Sequence, residues 1–193
     1  MSVMRATEFP EIWAQDRMLT VEDMEDMPDD EFRYELDDGM LIMSPAPSLP
    51  HQIAVMRLAI VLNAACPPGL LVVPGPGVNI NKFQHRVPDI AVIRTDSVTP
   101  MFLAEPPVLA VEVASPRTRI YDRSRKREVY EGFGIPSYWI IDVGQDTPSL
   151  TVLDLRRGRY AETARVDGDE AFHATMPFPV TIVPADLVAT GSR

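Results

Sequence analysis

The chain has 193 residues and a formal net charge of −10, from 28 Asp and Glu against 18 Lys and Arg; 46% of it is hydrophobic and 24% charged. This composition excludes a mainly disordered chain, a collagen-like repeat and a coiled-coil rod, and a chain of this length can bury a real core. The acidity is uneven: residues 1–50 hold 13 acids and three arginines, net −10, and residues 51–193 hold 15 acids and 15 bases. The excess therefore weighs against tight non-specific binding to nucleic acid, which basic patches supply, without excluding a local phosphate site.

Cys66 is the single cysteine, so no internal disulfide forms, and its apolar setting predicts a buried thiol. No apolar run approaches the roughly 18 residues of a membrane span. Glu8, Glu11 and Asp16 stand where a signal peptide needs an uncharged stretch. The expectation is a cytoplasmic protein with no membrane partner: an N-terminal arm over 1–19, one domain over 20–188 and a short tail over 189–193.

In chain order, Thr20 with Asp23 predicts a helix start, with a short helix to Met27. Residues 32–36 and 40–43 read as a β-hairpin around Asp38-Gly39. After the breaker Ser44-Pro45-Ala46-Pro47, residues 49–65 read as a long helix buried on most faces, stopped by Pro67-Pro68-Gly69. Residues 70–73 and 78–81 are short strands, and 89–93 and 108–114, apolar and β-branched, are central strands. A helix over 119–133 closes at Gly134. Residues 137–143 form a strand, 149–155 and 160–166 a hairpin around Arg157-Gly158, and the proline-bearing tail is expected to be irregular. The predicted fold class is mixed α/β (α+β): a mixed central sheet flanked by helices, with additional hairpins.

Two of these strands carry acids among apolar neighbours, Asp89 in Val87-Pro88-Asp89-Ile90 and Glu112 in Val111-Glu112-Val113. A buried carboxylate is costly unless it is paired, hydrogen-bonded or metal-bound. Two on adjacent strands repel, and a divalent cation relieves the repulsion; oxygen donors suit Mg²⁺ or Mn²⁺. On the following helix, Asp122, Lys126, Val129, Tyr130 and Phe133 fall on one face. Lys126, one of only two lysines, should then point toward the sheet, while Arg125 and Arg127 point away.

Pro88-Asp89, Glu112-Val113-Ala114-Ser115-Pro116, Tyr121-Asp122 with Lys126 and Tyr130, and Tyr138-Trp139-Ile140-Ile141-Asp142 together resemble the PD-(D/E)xK nuclease superfamily. Within it they resemble the bacterial family of "putative restriction endonucleases". Tyr34-Glu35-Leu36 with Gly39, Met43-Ser44-Pro45, and His51 opening the next helix also fit that family. The resemblance covers about residues 20–188 and implies a restriction-endonuclease-like fold and a Mg²⁺- or Mn²⁺-dependent endonuclease acting on DNA. It implies Asp89 and Glu112 as metal ligands, with the Val113 carbonyl a third. It also implies Lys126 as the residue that orients the attacking water or stabilises charge, and Glu35 as an additional acid. One departure stands out: the superfamily pattern has a lysine where this chain has Ala114, and Lys126 takes its place from the helix.

Each of these residues also has a plainer reading. Asp89 could cap a strand, Glu112 could pair with a buried arginine, Lys126 could reach solvent beside Asp122, and Glu35 could face water. His51 reads as structural, His85 and His173 as surface residues, and Tyr130 and Trp139 as core aromatics. Asp142, Asp146 and Asp154 read as turn and edge residues, and Met18, Met24, Met27, Met40 and Met43 as core fillers. Arg117, Arg119, Arg123 and Arg125 are either a solvated helix face or DNA-phosphate contacts. Two functions from different classes follow: a metal-dependent DNA endonuclease working as a homodimer, or a catalytically inactive nuclease-like module that binds DNA or protein.

Overall fold

The computed structural model describes residues 17–28, 30, 32–114, 119–144 and 147–189. Alternating and continuous apolar runs give strands where the sequence predicts them. A six-stranded sheet runs in the order β10-β9-β8-β7-β6-β3. Its members are β3 (Leu70–Pro74), β6 (Ile90–Arg94), β7 (Leu109–Ala114), β8 (Ser137–Asp142), β9 (Ser149–Arg156) and β10 (Arg159–Asp167). All neighbours pair antiparallel except β7 and β8, which pair in parallel and are joined through the helical segment.

A second sheet, in the order β2-β1-β5-β4, is built from β1 (Arg33–Asp37), β2 (Met40–Ser44), β4 (Val78–Asn81) and β5 (Gln84–Arg86). Asp38 and Gly39 take φ of 50° and 77°, so β1 and β2 are joined by the tight two-residue turn that Asp-Gly favours. Arg157 and Gly158 repeat the device between β9 and β10, with φ of 53° and 79°.

Residues of β7 alternate between two cores. Leu109, Val111 and Val113 face Ala54, Leu58 and Leu62 of α1 (Leu49–Ala65). Ala110 and Ala114 face Val129 and Tyr130 of α3 (Arg127–Phe133), with Ile140 and Tyr138 of β8. The period of two therefore turns Glu112 toward the α3 layer.

Several expectations are corrected. The helix over 119–133 is three pieces: α2 (Arg119–Tyr121), a π-helical turn (Asp122–Lys126) and α3. The widened turn still buries Asp122, Lys126, Val129 and Tyr130 on one face. The segment Val21–Asp26 is a 3₁₀ helix held by the Thr20–Asp23 capping box. β5 went unpredicted because three polar residues, Gln84, His85 and Arg86, carry no apolar signal, yet all three are buried. The tail is ordered: β11 (Phe172–Ala174) pairs with β12 (Val180–Ile182), and α4 (Pro184–Val188) follows.

Only His51, Ala54, Leu58 and Leu62 of α1 are buried, while Leu49, Met56, Ile60 and Val61 are exposed. Met18, Met40 and Met43 are exposed as well, and Cys66 is only partly buried. His85 is buried rather than superficial, with Nδ1 2.7 Å from Asn79 Oδ1. Asp142 lies fully buried at the end of β8 and pairs with Arg119 at 2.6 Å. Asp146 and Arg117 lie outside the described residues. Among the described residues no helix is long and apolar enough to cross a membrane.

Candidate active site

Four elements converge where the two sheets meet. The β6–β7 register pairs Ile90 with Val111; carried one residue on, it sets Asp89 opposite Glu112. Both carboxylates are buried. Asp89 is held on three sides: Oδ1 by Arg33 Nη1 at 2.7 Å, and Oδ2 by the Val113 amide at 2.7 Å and by His51 Nε2 at 3.0 Å. Arg33 and Glu35 sit two apart on β1 and so share a face, while Tyr34 and Leu36 turn into a separate apolar cluster. The Glu35 Oε1 accepts from the Val87 amide at 2.9 Å, which ties β1 to the Pro88-Asp89 turn.

Lys126, the last residue of the π-helical turn, reaches this point from the other layer. Its Nζ lies 2.8 Å from Glu112 Oε1, 3.4 Å from Glu35 Oε1 and 3.9 Å from Asp122 Oδ1. Tyr130, one turn later, donates its hydroxyl to Glu112 Oε1 at 2.8 Å. Glu35, Asp89, Glu112 and Lys126 are thus one cluster, with Lys126 facing the sheet as predicted. Read from the sequence alone, Arg33 is not singled out, His51 and Tyr130 are structural or core, and Asp122 falls on the sheet-facing side of the helix with Lys126, a solvent-side pair being the plainer reading. The Arg33–Glu35 spacing was the available signal for the first, and the breaker-to-helix junction for His51.

Burial and neighbouring charge shift Asp89, Glu112, Lys126 and Tyr130. Burial raises the Asp89 carboxyl, but the His51 hydrogen bond with Arg33 and Lys126 more than reverse it, holding it well below the usual carboxylate range. Glu112 goes the other way: burial raises it, Lys126 opposes, and Asp89, Asp122 and Glu35 add to the rise. Burial lowers Lys126, but the surrounding carboxylates outweigh it and keep the ammonium charged. Tyr130 is raised by burial and by Glu112, so its hydroxyl remains a donor.

The described arginines of the basic segment have protein partners. Arg119 and Arg123 lie 2.6 and 3.7 Å from Asp142 Oδ2, and Arg125 pairs with Asp37 at 2.7 Å and with Asp38. Neither Arg125 nor Arg127 simply points away as expected: Arg125 reaches Asp37 of β1, and Arg127 donates to the Tyr160 carbonyl of β10 at 3.0 Å. Asp37 also receives the fully buried Arg86 at 2.6 Å and the Tyr121 hydroxyl at 3.0 Å.

The oxygen donors are of the type that holds Mg²⁺ or Mn²⁺, and Glu112, Glu35 and Asp122 share the one Lys126 ammonium within 4 Å. In that chemical sense the residues fit a divalent cation. Among the described residues no three His, Cys, Asp or Glu side chains surround a common point at coordinating distance.

Residues 21–187 match the Uma2 family, described as "Putative restriction endonuclease". A solved structure of a putative nuclease from Anabaena variabilis ATCC 29413, assigned to a family of unknown function, superposes with a TM-score of 0.68 at 19% identity. The superposition covers 88% of this chain and 97% of that one. No curated protein matches.

Proposed function

Because the chain belongs to the family of putative restriction endonucleases, we propose that it is a metal-dependent endonuclease that hydrolyses DNA phosphodiester bonds. The observation that carries this reading is the burial of Asp89 and Glu112, each one residue beyond the Ile90–Val111 pair of adjacent strands, with the Lys126 ammonium 2.8 Å from Glu112. Asp89 and Glu112, with the Val113 carbonyl, would hold Mg²⁺ or Mn²⁺, which supplies Lewis-acid neutralisation of phosphate charge.

The chain's own groups do the rest. Arg33, His51 and the Val113 amide fix the Asp89 rotamer, and Tyr130 fixes Glu112. Lys126 keeps its proton and offers a positive charge to the oxygens that gain charge as the phosphorus–oxygen bond breaks. Glu35 holds Lys126 from the far side, at 3.4 Å. Plasmid nicking with Mg²⁺ or Mn²⁺ tests the reading: Asp89→Ala and Lys126→Ala should each lose at least about a hundredfold in rate. Equal nicking by all three proteins would sink it.

One observation favours a second reading, a binding module without catalysis. Both Asp89 oxygens are already satisfied by protein donors, so the ion-pair cluster closes on itself. Calorimetric titration with Mn²⁺ separates the two: heat that is absent from Asp89→Ala supports the enzyme, and none at millimolar Mn²⁺ supports the module.

A further inference from the structure

Arg33 faces a groove as well as Asp89. The groove, about 700 Å³, runs between α1 and the edge strand β3, and Arg33, His51 and Asp89 form its head. Beyond them the wall is apolar, chiefly Val55, Met56, Ile60 and Val72, with the amides of Gln52 and Asn63 set along it. Arg33 and Asp89 are the only Arg, Lys, Asp or Glu among the described residues that line it.

The contacts of Arg33 run through Nη1, to Asp89 Oδ1 and the Val87 carbonyl at 3.4 Å. Among the described residues this leaves Nε and Nη2 for a ligand, on a side chain that is 30% exposed. Arg119, Arg123 and Arg125 of the helical segment pair with Asp142, Asp37 and Asp38 on the other layer and do not line the groove.

A cation at the head, apolar walls and spaced amides match the parts of one nucleotide: phosphate, base faces and base edges. The volume is that of a pocket for a small molecule. Bases stacked within a duplex cannot enter such a groove, whereas the bases of a single strand or an extruded nucleotide can. Resting on the nuclease reading above, we propose that this groove receives a nucleotide of a single strand, its phosphate on Arg33 and its base along α1. The substrate class is then single-stranded or locally opened nucleic acid rather than intact duplex. The occupant is argued from continuity with the carboxylate site and from the single cation at the junction.

The test uses the full chain and two labelled probes, a short single strand and its duplex, with anisotropy measured in Ca²⁺ across a salt series. The single strand should bind more tightly than the duplex. Arg33→Met should weaken that binding at least about tenfold, as loss of a charge-assisted contact does, and flatten the salt slope by about 0.7. Arg33→Lys should recover part of it.

Ile60→Glu, at an exposed position on the groove wall, should also weaken binding. Val61→Glu, exposed on the same helix but off the groove, should not. Both substitutions are at exposed positions, so the comparison stands if Arg33→Met folds poorly. No saturable binding, equal binding of both probes, or indifference to both Arg33→Met and Ile60→Glu would overturn the proposal. So would an Ile60→Glu protein that sediments as a monomer where the wild type is a dimer, with binding intact; the face would then belong to a second copy.

Cleavage of plasmid and of the labelled single strand in Mg²⁺ distinguishes this failure from failure of the enzyme reading. Cleavage that survives both groove variants refutes the groove and leaves the nuclease. Arg33-dependent binding without cleavage of either substrate leaves the groove and refutes hydrolysis.

Discussion

Replacing Lys126 with Met tests the charge balance on which the site depends. The ammonium is buried within 4 Å of Glu112, Glu35 and Asp122. Without it, the simplest response is for Glu112, already raised by burial, to take up a proton. Holding a carboxyl protonated costs about 1.4 kcal/mol for each pH unit above its unfolded pKa of roughly 4.3, so about 5 kcal/mol at pH 8 and about 1 at pH 5. The wild type already carries most of that cost, because its own Glu112 is pushed up to about 8, so protonating Glu112 adds less than about 1 kcal/mol at either pH.

Leaving Glu35 and Asp122 beside Glu112 without their shared cation supplies the rest: the expected net loss is about 3 kcal/mol at pH 8, in line with broken buried ion pairs, and smaller at pH 5. The sign follows from linkage. A carboxyl raised by folding contributes its stability below the unfolded pKa and loses it as pH rises through the folded one. Urea denaturation of both proteins at the two pH values measures it. An equal loss at both would show a packing defect, and no loss at pH 8 would show that the ammonium does not balance these carboxylates.

Three other outcomes are expected. Burial holds His85 down at about 4, below its ordinary 6.5, so up to about 3 kcal/mol of stability should be lost as pH falls from 6.5 to 4. His85→Asn should flatten the urea-midpoint profile across that window, and an unchanged profile would reject the assignment. Arg86→Met removes the fully buried guanidinium bound to Asp37 and the Leu36 carbonyl, and should cost about 3 kcal/mol in urea, little of it recovered by Arg86→Lys. Arg119→Ala leaves the buried Asp142 with a weaker partner and should cost about 2 kcal/mol; full stability with a salt slope of DNA binding reduced by about one would instead make Arg119 a phosphate contact.

What could be read from the chain follows the range of each signal. The Asp-Gly and Arg-Gly turns, the proline breakers around α1 and the apolar runs of β6 and β7 are local features, and the structure keeps them. The inward lysine was legible because helical spacing ties it to Val129 and Tyr130, and a π-helical turn did not disturb that face. Partners distant in sequence were not legible. Nothing near Asp142 announces Arg119, and nothing near Asp37 announces Arg86 and Arg125; a buried polar strand such as β5 looks like a loop until its partners are known. The exposure of α1 was misread for the same reason, since an apolar composition does not say which faces find a neighbour.

The acidic first quarter of the chain gains a structural meaning from these long-range pairs. Asp37 and Asp38, at the tip of the β1–β2 hairpin, take up Arg125, and Asp142 takes up Arg119 and Arg123. Much of the densest basic stretch is therefore neutralised inside the fold rather than offered as a field to a duplex. On the proposed nuclease reading, affinity for nucleic acid would then come from few contacts close to the carboxylate site, and a site of that kind discriminates by shape more than by charge. Removing one of the acids on Arg125 by Asp38→Asn, at an exposed position, leaves its pair with Asp37 and should still raise duplex affinity at low salt by a few-fold, a gain that should vanish as salt screens the added charge.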